Sequence, residues 1–357
     1  MNLKVMSIVT GLLLLVAVAG VLLDRLGDSE TDKGRVGKTL IENVDISNAR
    51  AIHVLSDEGE VNLKYVDNKW LVQEQDMFPA GPNKIQAFLF RLAQAKIEHE
   101  VTSNPDKLAG LGLLRLDENN NKFEKDKTGT VFSIRDESGN NIYQLLIGTD
   151  RRKHTGLRPT VGGQYVRFPE STSAYLIPSP LFLERVAKDW LRARIFDFKH
   201  EELFSGFRVR QPGKKDVVFA RKDAKSPWQV EGVDASKLDK DEVKNLAQRI
   251  GEIEVTLVAD GKRSEQDLGR GRVAVIDINL YDKRAFRMEI GLKTVDKEFR
   301  YLKLSASLDD SVQDEALKKA VSVFNNEFAK RRIGVYDWEA EQLIKTTKDL
   351  LKKPTRQ

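Results

Sequence analysis

Apolar residues recur at helical spacing in two widely separated segments of this chain. Such stripes, with apolar positions three and four residues apart, predict amphipathic helices that each bury one face. The stripes are formed by Ile85, Phe88, Leu89 and Leu92, and by Val243, Leu246, Ala247 and Ile250. A short tryptophan-bearing stretch typical of a β-strand precedes each helix, at residues 68–72 and 226–230. The recurrence predicts an internal repeat.

Segments rich in β-forming residues follow each predicted helix and alternate around polar turns. They predict two β-hairpins, which pair residues 131–134 with 143–148 and residues 275–278 with 286–291. A further strand and a second helix complete each predicted copy, and we place that helix at residues 179–191 and 313–330. Antiparallel strands with helices grouped on one face define an α+β architecture. We therefore expect two tandem repeats of one antiparallel-sheet-plus-helices domain.

Two tryptophans and two glycines occupy matching places in the two predicted copies. Trp70 and Trp228 lie in the strand before the helix, and Gly148 and Gly291 end the hairpin. Large aromatic rings at matching places indicate a shared structural role, so we expect both tryptophans to be buried in the core. We interpret all four residues as structural anchors of the repeat. The first copy also has an extra segment, residues 108–129, between its helix and its hairpin.

An uncharged apolar stretch, Val5–Leu23, opens the chain. It is long enough to cross the hydrocarbon core of a bilayer as a helix. A signal peptide cleaved after Ala19 is the alternative, because Ala17 and Ala19 have the small-x-small form of a cleavage site. The apolar run continues past that site, which favours an uncleaved signal anchor. The flanking charges do not decide the orientation, but the absence of cysteine favours an extracytoplasmic domain.

These patterns divide the chain into five parts. We predict a transmembrane signal anchor, a tether, a first α+β repeat, a second α+β repeat, and a C-terminal helix with a basic tail. Their bounds are 1–26, 27–39, 40–196, 197–340 and 341–357. The tether is polar and punctuated by glycine, which is typical of a linker.

Composition excludes several classes of function. The chain has no cysteine, which removes disulfide scaffolds, thiol nucleophiles and zinc-thiolate sites. Its 59 Lys and Arg against 54 Asp and Glu give a net charge of +5, too small a surplus to indicate a nucleic-acid binder. The chain has neither a nucleophile elbow nor a Walker motif. We therefore expect no enzyme activity, no catalytic residue, no cofactor and no nucleic-acid partner.

The four histidines do not form a metal-ligand pattern. His99 lacks a second histidine four positions away on the same helix face. His53 alternates with apolar neighbours, which predicts the solvent face of a strand. The acidic run at residues 117–121 lacks the glycine of a calcium-binding loop. We predict no metal site.

Two basic clusters supply the candidate partner-docking residues. They lie in a loop predicted at residues 151–163 and in the helix–hairpin link of the second copy; the residues are Arg151, Arg152, Lys153, Arg158, Lys262 and Arg263. Such runs are usually solvated loops, and the alternative is docking to anionic lipid, acidic glycan or an acidic partner. We expect charge reversal at residues 151–153, or deletion of residues 117–127, to weaken complex formation and leave the fold intact.

The pattern resembles a bacterial family, the "domain of unknown function 4340" proteins. The resemblance covers most of residues 40–200 and, more weakly, residues 200–340. It is carried by Trp70, Pro79-Ala80, Leu108–Leu113, Ile147-Gly148, Tyr165-Val166 and Tyr175–Ile177. The second copy departs from it, because Asp267-Leu268-Gly269 stands where the first copy has its Gly-Leu pair. These are packing and turn residues, so the resemblance assigns no catalytic group.

The resemblance implies an accessory role in transport. Members of this family are typically membrane-anchored and occur beside genes for gliding-motility-type ABC transporters. We expect a single-pass protein of the bacterial inner membrane, with the bulk of the chain in the periplasm. Its partners would be an ABC transporter permease and associated membrane subunits, bound through protein–protein interaction. The alternative is an envelope lipid- or glycan-binding module, and the sequence leaves any small-molecule ligand unknown.

Overall fold

The computed structural model describes residues 34–42, 44–155, 158–196 and 203–352. The chain divides into two compact units after Leu191. Each unit has one antiparallel sheet accompanied by helices, which confirms the predicted α+β class. The predicted anchor Val5–Leu23 lies outside the described residues. Within the described ranges, no helix combines the length and apolar character needed to cross a membrane.

The first unit contains a nine-stranded sheet and one α-helix among its described residues. The strand order is β4-β3-β2-β1-β6-β7-β8-β9-β5. Helix α1 spans Pro82–Gln94 and lies between β4 and β5 in the chain. The strands are β1 (Ala51–Ser56), β2 (Gly59–Val66), β3 (Lys69–Val72), β4 (Phe78–Pro79), β5 (His99–Thr102), β6 (Thr130–Arg135), β7 (Asn141–Thr155), β8 (Arg158–Arg167) and β9 (Ala174–Ile177).

The second unit contains an eight-stranded sheet with the order β12-β11-β10-β14-β15-β16-β17-β13. Its described helices are α2 (Lys240–Glu252), α3 (Glu315–Phe328) and α4 (Asp337–Leu343). The strands are β10 (Phe204–Arg210), β11 (Val217–Ala220), β12 (Gln229–Val230), β13 (Leu257–Val258), β14 (Val273–Leu280), β15 (Arg284–Gly291), β16 (Phe299–Leu308) and β17 (Ile333–Tyr336).

The two sheets have the same strand order apart from β4, the short edge strand of the first unit. In both units three meander strands are followed by a helix, an edge strand, a hairpin and two closing strands. The units differ in the connection before the last strand. Strands β8 and β9 are joined by a short turn, whereas α3 lies between β16 and β17. Strand β17 therefore corresponds to β9.

The predicted helix faces of α1 and α2 are confirmed. The buried residues of α1 are Ile85, Phe88, Leu89 and Leu92, and those of α2 are Val243, Leu246, Ala247 and Ile250. The ring of Phe88 packs edge-on against Phe132, at 4.8 Å between ring centroids, and near Trp190 at 6.3 Å. Aromatic pairs in this arrangement stabilise a core beyond the apolar area that they bury.

The helix predicted at residues 179–191 is wrong. This segment has only a short 3₁₀ helix, Ala187–Trp190. Arg91 of α1 donates hydrogen bonds to the carbonyls of Leu181 and Phe182, at 2.7 and 3.3 Å. Phe182 has a φ of +51°, which interrupts a right-handed helix at this point. The C-terminal helix is also shorter than predicted, since α4 ends at Leu343 and a separate 3₁₀ turn spans Thr347–Leu350.

Neither predicted tryptophan anchor is fully buried; Trp70 and Trp228 are half-buried. Trp70 faces Tyr65 across the β2–β3 ladder, and their ring centroids are 5.2 Å apart. Trp228 lies one residue beyond the β11–β12 ladder, where the guanidinium of Arg221 stacks 4.4 Å from its ring centroid. The two rings thus occupy matching positions, at the β2–β3 ladder in the first unit and next to the β11–β12 ladder in the second. The core position predicted for them is corrected to a flanking one, and Trp190 is the fully buried tryptophan of the first unit.

The described end of the predicted tether is packed against the first unit. Gly37 donates a backbone hydrogen bond to Ile97 at 2.8 Å, and Leu40 donates one to Ala95 at 2.9 Å. The guanidinium of Arg35 lies 4.0 Å from the ring centroid of Phe168. The linker interpretation is therefore wrong for the residues from Arg35 onward.

Candidate functional site

A glycine-containing loop packs closely against β7 in the first unit. A Cβ atom at Gly148 would lie only 2.4 Å from the carbonyl oxygen of Leu111, so the loop can approach the strand only because residue 148 is glycine. The hydroxyl of Thr149 donates a hydrogen bond to the same carbonyl at 3.2 Å. Gly112 adopts a left-handed backbone with φ of +66° and turns the chain at this point. The contact fixes the start of the extra segment on the sheet.

The second unit repeats this contact with different side chains. Gly269 has φ of +68°, and a Cβ atom at Gly291 would lie 2.9 Å from its carbonyl oxygen. Gly269 is thus the structural counterpart of Gly112; the sequence placed residues 267–269 opposite the Gly-Leu pair but did not align the two glycines. The residue after each glycine differs. Leu113 belongs to an apolar cluster in the first unit, whereas Arg270 forms an ion pair with Glu289 at 2.9 Å in the second.

A buried arginine holds the extra segment of the first unit in place. Arg167, on β8, donates to the carbonyls of Ser171 and Leu113 at 2.6 and 3.2 Å. It also donates to both carboxylate oxygens of Glu118, at 2.7 and 2.9 Å. These hydrogen bonds lower the pKa of Glu118. A buried charge that loses its partner is strongly destabilising, so deletion of residues 117–127 would not leave the fold intact as predicted from the sequence.

A two-stranded arm extends the sheet of the first unit. The pairing of β6 with β7 ends at Thr130 and Ile147, but β7 continues to Thr155 and stays paired with β8. The basic residues predicted to lie in a loop are on this arm: Arg151, Arg152, Lys153 and Arg158. The loop prediction is therefore corrected to a β-hairpin. In the second unit the corresponding strand β15 ends at Gly291 and forms no arm.

A cleft of about 720 Å³ lies beside the base of the arm. It is bounded by the extra segment, the glycine contact, the arm and the segment after β9; lining residues include Gly112, Asp126, Gly148, Asp150, Arg152, Phe182 and Arg185. The extra segment and the basic arm, separate in the sequence, therefore meet at one place. The other predicted pair, Lys262 and Arg263, lies in the second unit.

Phe182 stands exposed at the rim of this cleft. Its side chain is 67% exposed and its φ is +51°, a left-handed conformation that bulky residues rarely adopt. Arg91 holds the strained backbone through the hydrogen bonds to Leu181 and Phe182, and its guanidinium lies 5.6 Å from the Phe182 ring centroid. Sequence analysis missed Phe182, because backbone strain leaves no signal in residue type.

The charged side chains at the cleft can take part in binding a partner. Arg185 forms an ion pair with Asp57 at 3.0 Å and a second with Glu58. Burial raises the pKa of Asp150, and the neighbouring positive charges of Arg152 and Arg185 oppose that shift. Within the described ranges, no group of three or more histidine, aspartate or glutamate residues is placed to hold a metal ion. The arrangement can bind a partner through charge, an aromatic ring and backbone groups.

In the second basic cluster, formed by Lys262 and Arg263, the arginine makes contacts within its own unit. Arg263 lies 5.6 Å from the ring centroid of Tyr301 and forms an ion pair with Asp296 at 3.4 Å. Lys262 is exposed. Because Arg263 has these internal contacts, the first unit offers the stronger candidate surface.

His53 is buried, which corrects the solvent-facing position predicted for it. Its Nδ1 lies 3.0 Å from an Arg135 guanidinium nitrogen, and its Nε2 lies 2.9 Å from Glu60. Because Arg135 can only donate, Nδ1 accepts and Nε2 carries the proton of a neutral ring. Burial lowers the pKa of His53, and the charge of Arg135 lowers it further, although Glu60 acts in the opposite direction.

We expect His53 to make the protein less stable as the pH falls below its ordinary pKa of 6.5. The unfolded chain takes up a proton there, while folded His53 resists protonation, so the stability contribution present above pH 6.5 is lost progressively toward the lower folded pKa. Urea unfolding between about pH 5 and 7 should therefore be less pH-dependent in His53→Gln than in the wild type. The exposed His99→Gln is the control, and a His53→Gln slope equal to the wild-type slope would contradict the prediction.

One comparison with known proteins identifies a family for this chain. Residues 70–269 match the family model described as Domain of unknown function (DUF4340). No curated protein and no solved structure matches the chain. The matched region covers more than half of the chain and includes both glycine contact loops, Gly112 and Gly269. The chain therefore belongs to the DUF4340 family.

Proposed function

We propose that this protein is a non-catalytic, membrane-anchored accessory subunit of an ABC-type transport system. The bulk of the chain would lie in the periplasm, held at the bacterial inner membrane by Val5–Leu23. Membership of the DUF4340 family supports this proposal, since the family resemblance implies an anchored protein that accompanies such transporters. Partners would be a permease and its associated membrane subunits.

The basic arm of the first unit is the observation that carries the docking role. Both units share one strand order, yet only the hairpin of the first unit extends into an arm. Arg152 of the arm lines the cleft, and the exposed ring of Phe182 lines the same cleft. An extension added to a repeated scaffold is a common place for function, because the shared sheet does not need it for its core.

We further propose that the two units are tandem copies of one ancestral domain. The shared strand order, the matching Trp70 and Trp228 positions, and the two glycine contacts support a duplication. On this view the second unit lost or never gained the arm, and docking is a property of the first unit. The second basic cluster at Lys262 and Arg263 is then a secondary candidate.

Charge reversal on the arm tests the docking role. We expect the triple variant Arg151→Glu, Arg152→Glu and Lys153→Glu to recover about tenfold less of its membrane partner on co-purification, because reversed charge repels an acidic surface. The fold should persist, since the arm extends beyond the β6–β7 pairing. The measurement is the yield of co-purified chains from detergent-solubilised membranes, identified by mass spectrometry.

A matched control separates the effect of where charge is reversed from the effect of how much charge is reversed. The triple variant Lys215→Glu, Lys222→Glu and Lys225→Glu reverses the same number of charges at exposed residues of the second unit, and it should co-purify as the wild type does. Equal recovery of partner by the arm variant and the wild type would contradict the docking role. Deletion of residues 117–127 is unsuitable here, because it removes the Glu118 partner of buried Arg167.

The cleft supports a second candidate function, the binding of an envelope glycan. Its mainly polar lining and the exposed Phe182 ring fit a sugar better than a lipid chain. Under this candidate, native mass spectrometry of the purified protein would detect a bound saccharide that Phe182→Ala loses. Partner recovery would then be independent of the arm.

A further inference from the structure

The arm leaves one edge of β7 without a strand partner among the described residues. Strand β6 pairs with β7 only as far as Ile147, whereas β8 covers the opposite edge as far as Thr155. The glycine loop covers this edge at Thr149, so the edge from Asp150 to Thr155 presents backbone N–H and C=O groups to its surroundings. An open edge of this kind is a template for pairing with another extended chain.

The charge of the residues on this edge determines which kind of strand can pair with it. Arg151 and Arg152 lie on the open strand and Lys153 follows them; the β7–β8 register shifts between Asp150 and Arg152 and is regular from Arg152 onward. Positive charge on an edge strand repels a second copy of the same edge, and so disfavours self-association. The same charge attracts an extended segment rich in carboxylates. Charge thus points to an acidic strand as the occupant.

The cleft continues the same edge and adds an apolar contact. Arg152 lines the cleft from the arm, and Phe182 and Arg185 line it from the segment after β9. Arg91 fixes the backbone under Phe182, so the exposed ring is held in place before any partner arrives. An exposed aromatic ring held rigidly loses little freedom on binding, which makes it a suitable anchor for an apolar side chain.

We propose that the open edge of β7, from Asp150 to Thr155, binds an extended acidic segment of a partner protein by strand addition. The segment would pair with the β7 backbone, place carboxylates near Arg151 and Arg152, and pack an apolar side chain on Phe182. This inference rests on the proposed docking role and specifies its chemistry. An anionic lipid or a glycan would satisfy the charges, but neither offers the alternating backbone donors and acceptors that this edge can pair with.

A synthetic peptide tests strand addition directly. The probe is a short, acetylated, fluorescent peptide of consecutive glutamates followed by two valines, which presents carboxylates on both faces of the added strand. It is titrated against the full chain in detergent and followed by fluorescence anisotropy. A second peptide has the same sequence but is N-methylated at alternate backbone nitrogens, which removes hydrogen-bond donors and retains the charge. We expect N-methylation to weaken binding by about tenfold or more, because strand addition depends on these main-chain bonds.

Three variants complete the design. Arg151→Glu with Arg152→Glu should weaken binding of the acidic peptide by about tenfold, and Phe182→Ala should weaken it by about threefold or more because an apolar contact is lost. Lys222→Glu with Lys225→Glu should bind as the wild type does. Equal binding of the methylated and unmethylated peptides would overturn strand addition. Binding to anionic phospholipid vesicles without peptide binding would overturn the choice of a protein partner.

Results for the peptide and for co-purification can be separated. If the peptide binds through the arm while partner recovery is insensitive to the arm, the edge pairs with an acidic strand and the docking role of the arm fails. If partner recovery depends on the arm but no acidic peptide binds, the docking role stands and strand addition fails.

Discussion

Replacing Gly148 with alanine is expected to lower the free energy of unfolding of the first unit by about 2–4 kcal/mol. The added Cβ atom would lie 2.4 Å from the Leu111 carbonyl and 2.9 Å from the Leu113 side chain. Neither neighbour can move freely, because Leu111 accepts the Thr149 hydroxyl and Leu113 is fully buried. Either the glycine loop moves away from β7 or the strand bends, and both disrupt the base of the cleft.

Gly110→Ala is the matched control for this prediction. Gly110 lies in the same loop, but nothing lies within 4 Å of a Cβ atom there and its φ is not positive. We expect a change within about 0.5 kcal/mol. Both variants are unfolded in urea. Where the two units unfold in separate transitions, the free energy of unfolding of the first unit is compared between the two variants. Equal destabilisation by the two substitutions would show that the close approach to Leu111 is not the cause.

Trp190→Ala is expected to cost about 3–5 kcal/mol, the largest loss among the tryptophan substitutions in the chain. The ring is completely buried, packs near Phe88, and donates from Nε1 to the Glu184 carbonyl at 2.9 Å. Truncation therefore leaves a large cavity and also an acceptor without its donor. The loss should appear in the unfolding transition of the first unit.

The other tryptophans provide graded comparisons for Trp190→Ala. Trp70 is half-buried and its loss should cost about 1–2 kcal/mol, since only part of the ring leaves the core. Trp338 is 63% exposed, and Trp338→Ala should change stability by less than about 0.5 kcal/mol. A loss for Trp70→Ala as large as that for Trp190→Ala would restore Trp70 as a core anchor. Chemical denaturation of the three variants provides the ranking.

The sequence predicted best where one face of an element is buried. The stripes of α1 and α2 have the helical period, and their residues are buried as expected. The segment at residues 179–191 shows the limit of that reasoning. Its apolar residues allow a helix, but Arg91, distant in sequence, takes the carbonyls of Leu181 and Phe182. A tertiary hydrogen bond outweighs a local preference there.

The candidate site was predictable in part. The positive charge of the arm residues was visible in the sequence. The strand was missed, because Arg151, Arg152 and Lys153 interrupt the alternation of apolar and polar residues expected of β7. The match of Gly112 with Gly269 was hidden because the following residue changes from leucine to arginine. Leu113 joins an apolar cluster, whereas Arg270 pairs with Glu289, so two chemistries stabilise one backbone contact.

The packing of residues 35–40 determines how the first unit responds to a mechanical load. Tension on the chain before Gly34 reaches the Arg35 contacts and then the hydrogen bonds of Gly37 and Leu40, before it reaches the sheet. These few contacts would peel in sequence and release about 3.3–3.6 Å of chain per residue. Peeling would stop at Leu40, whose buried side chain belongs to the core. We therefore expect this segment to lengthen under tension while the sheet behind it remains folded.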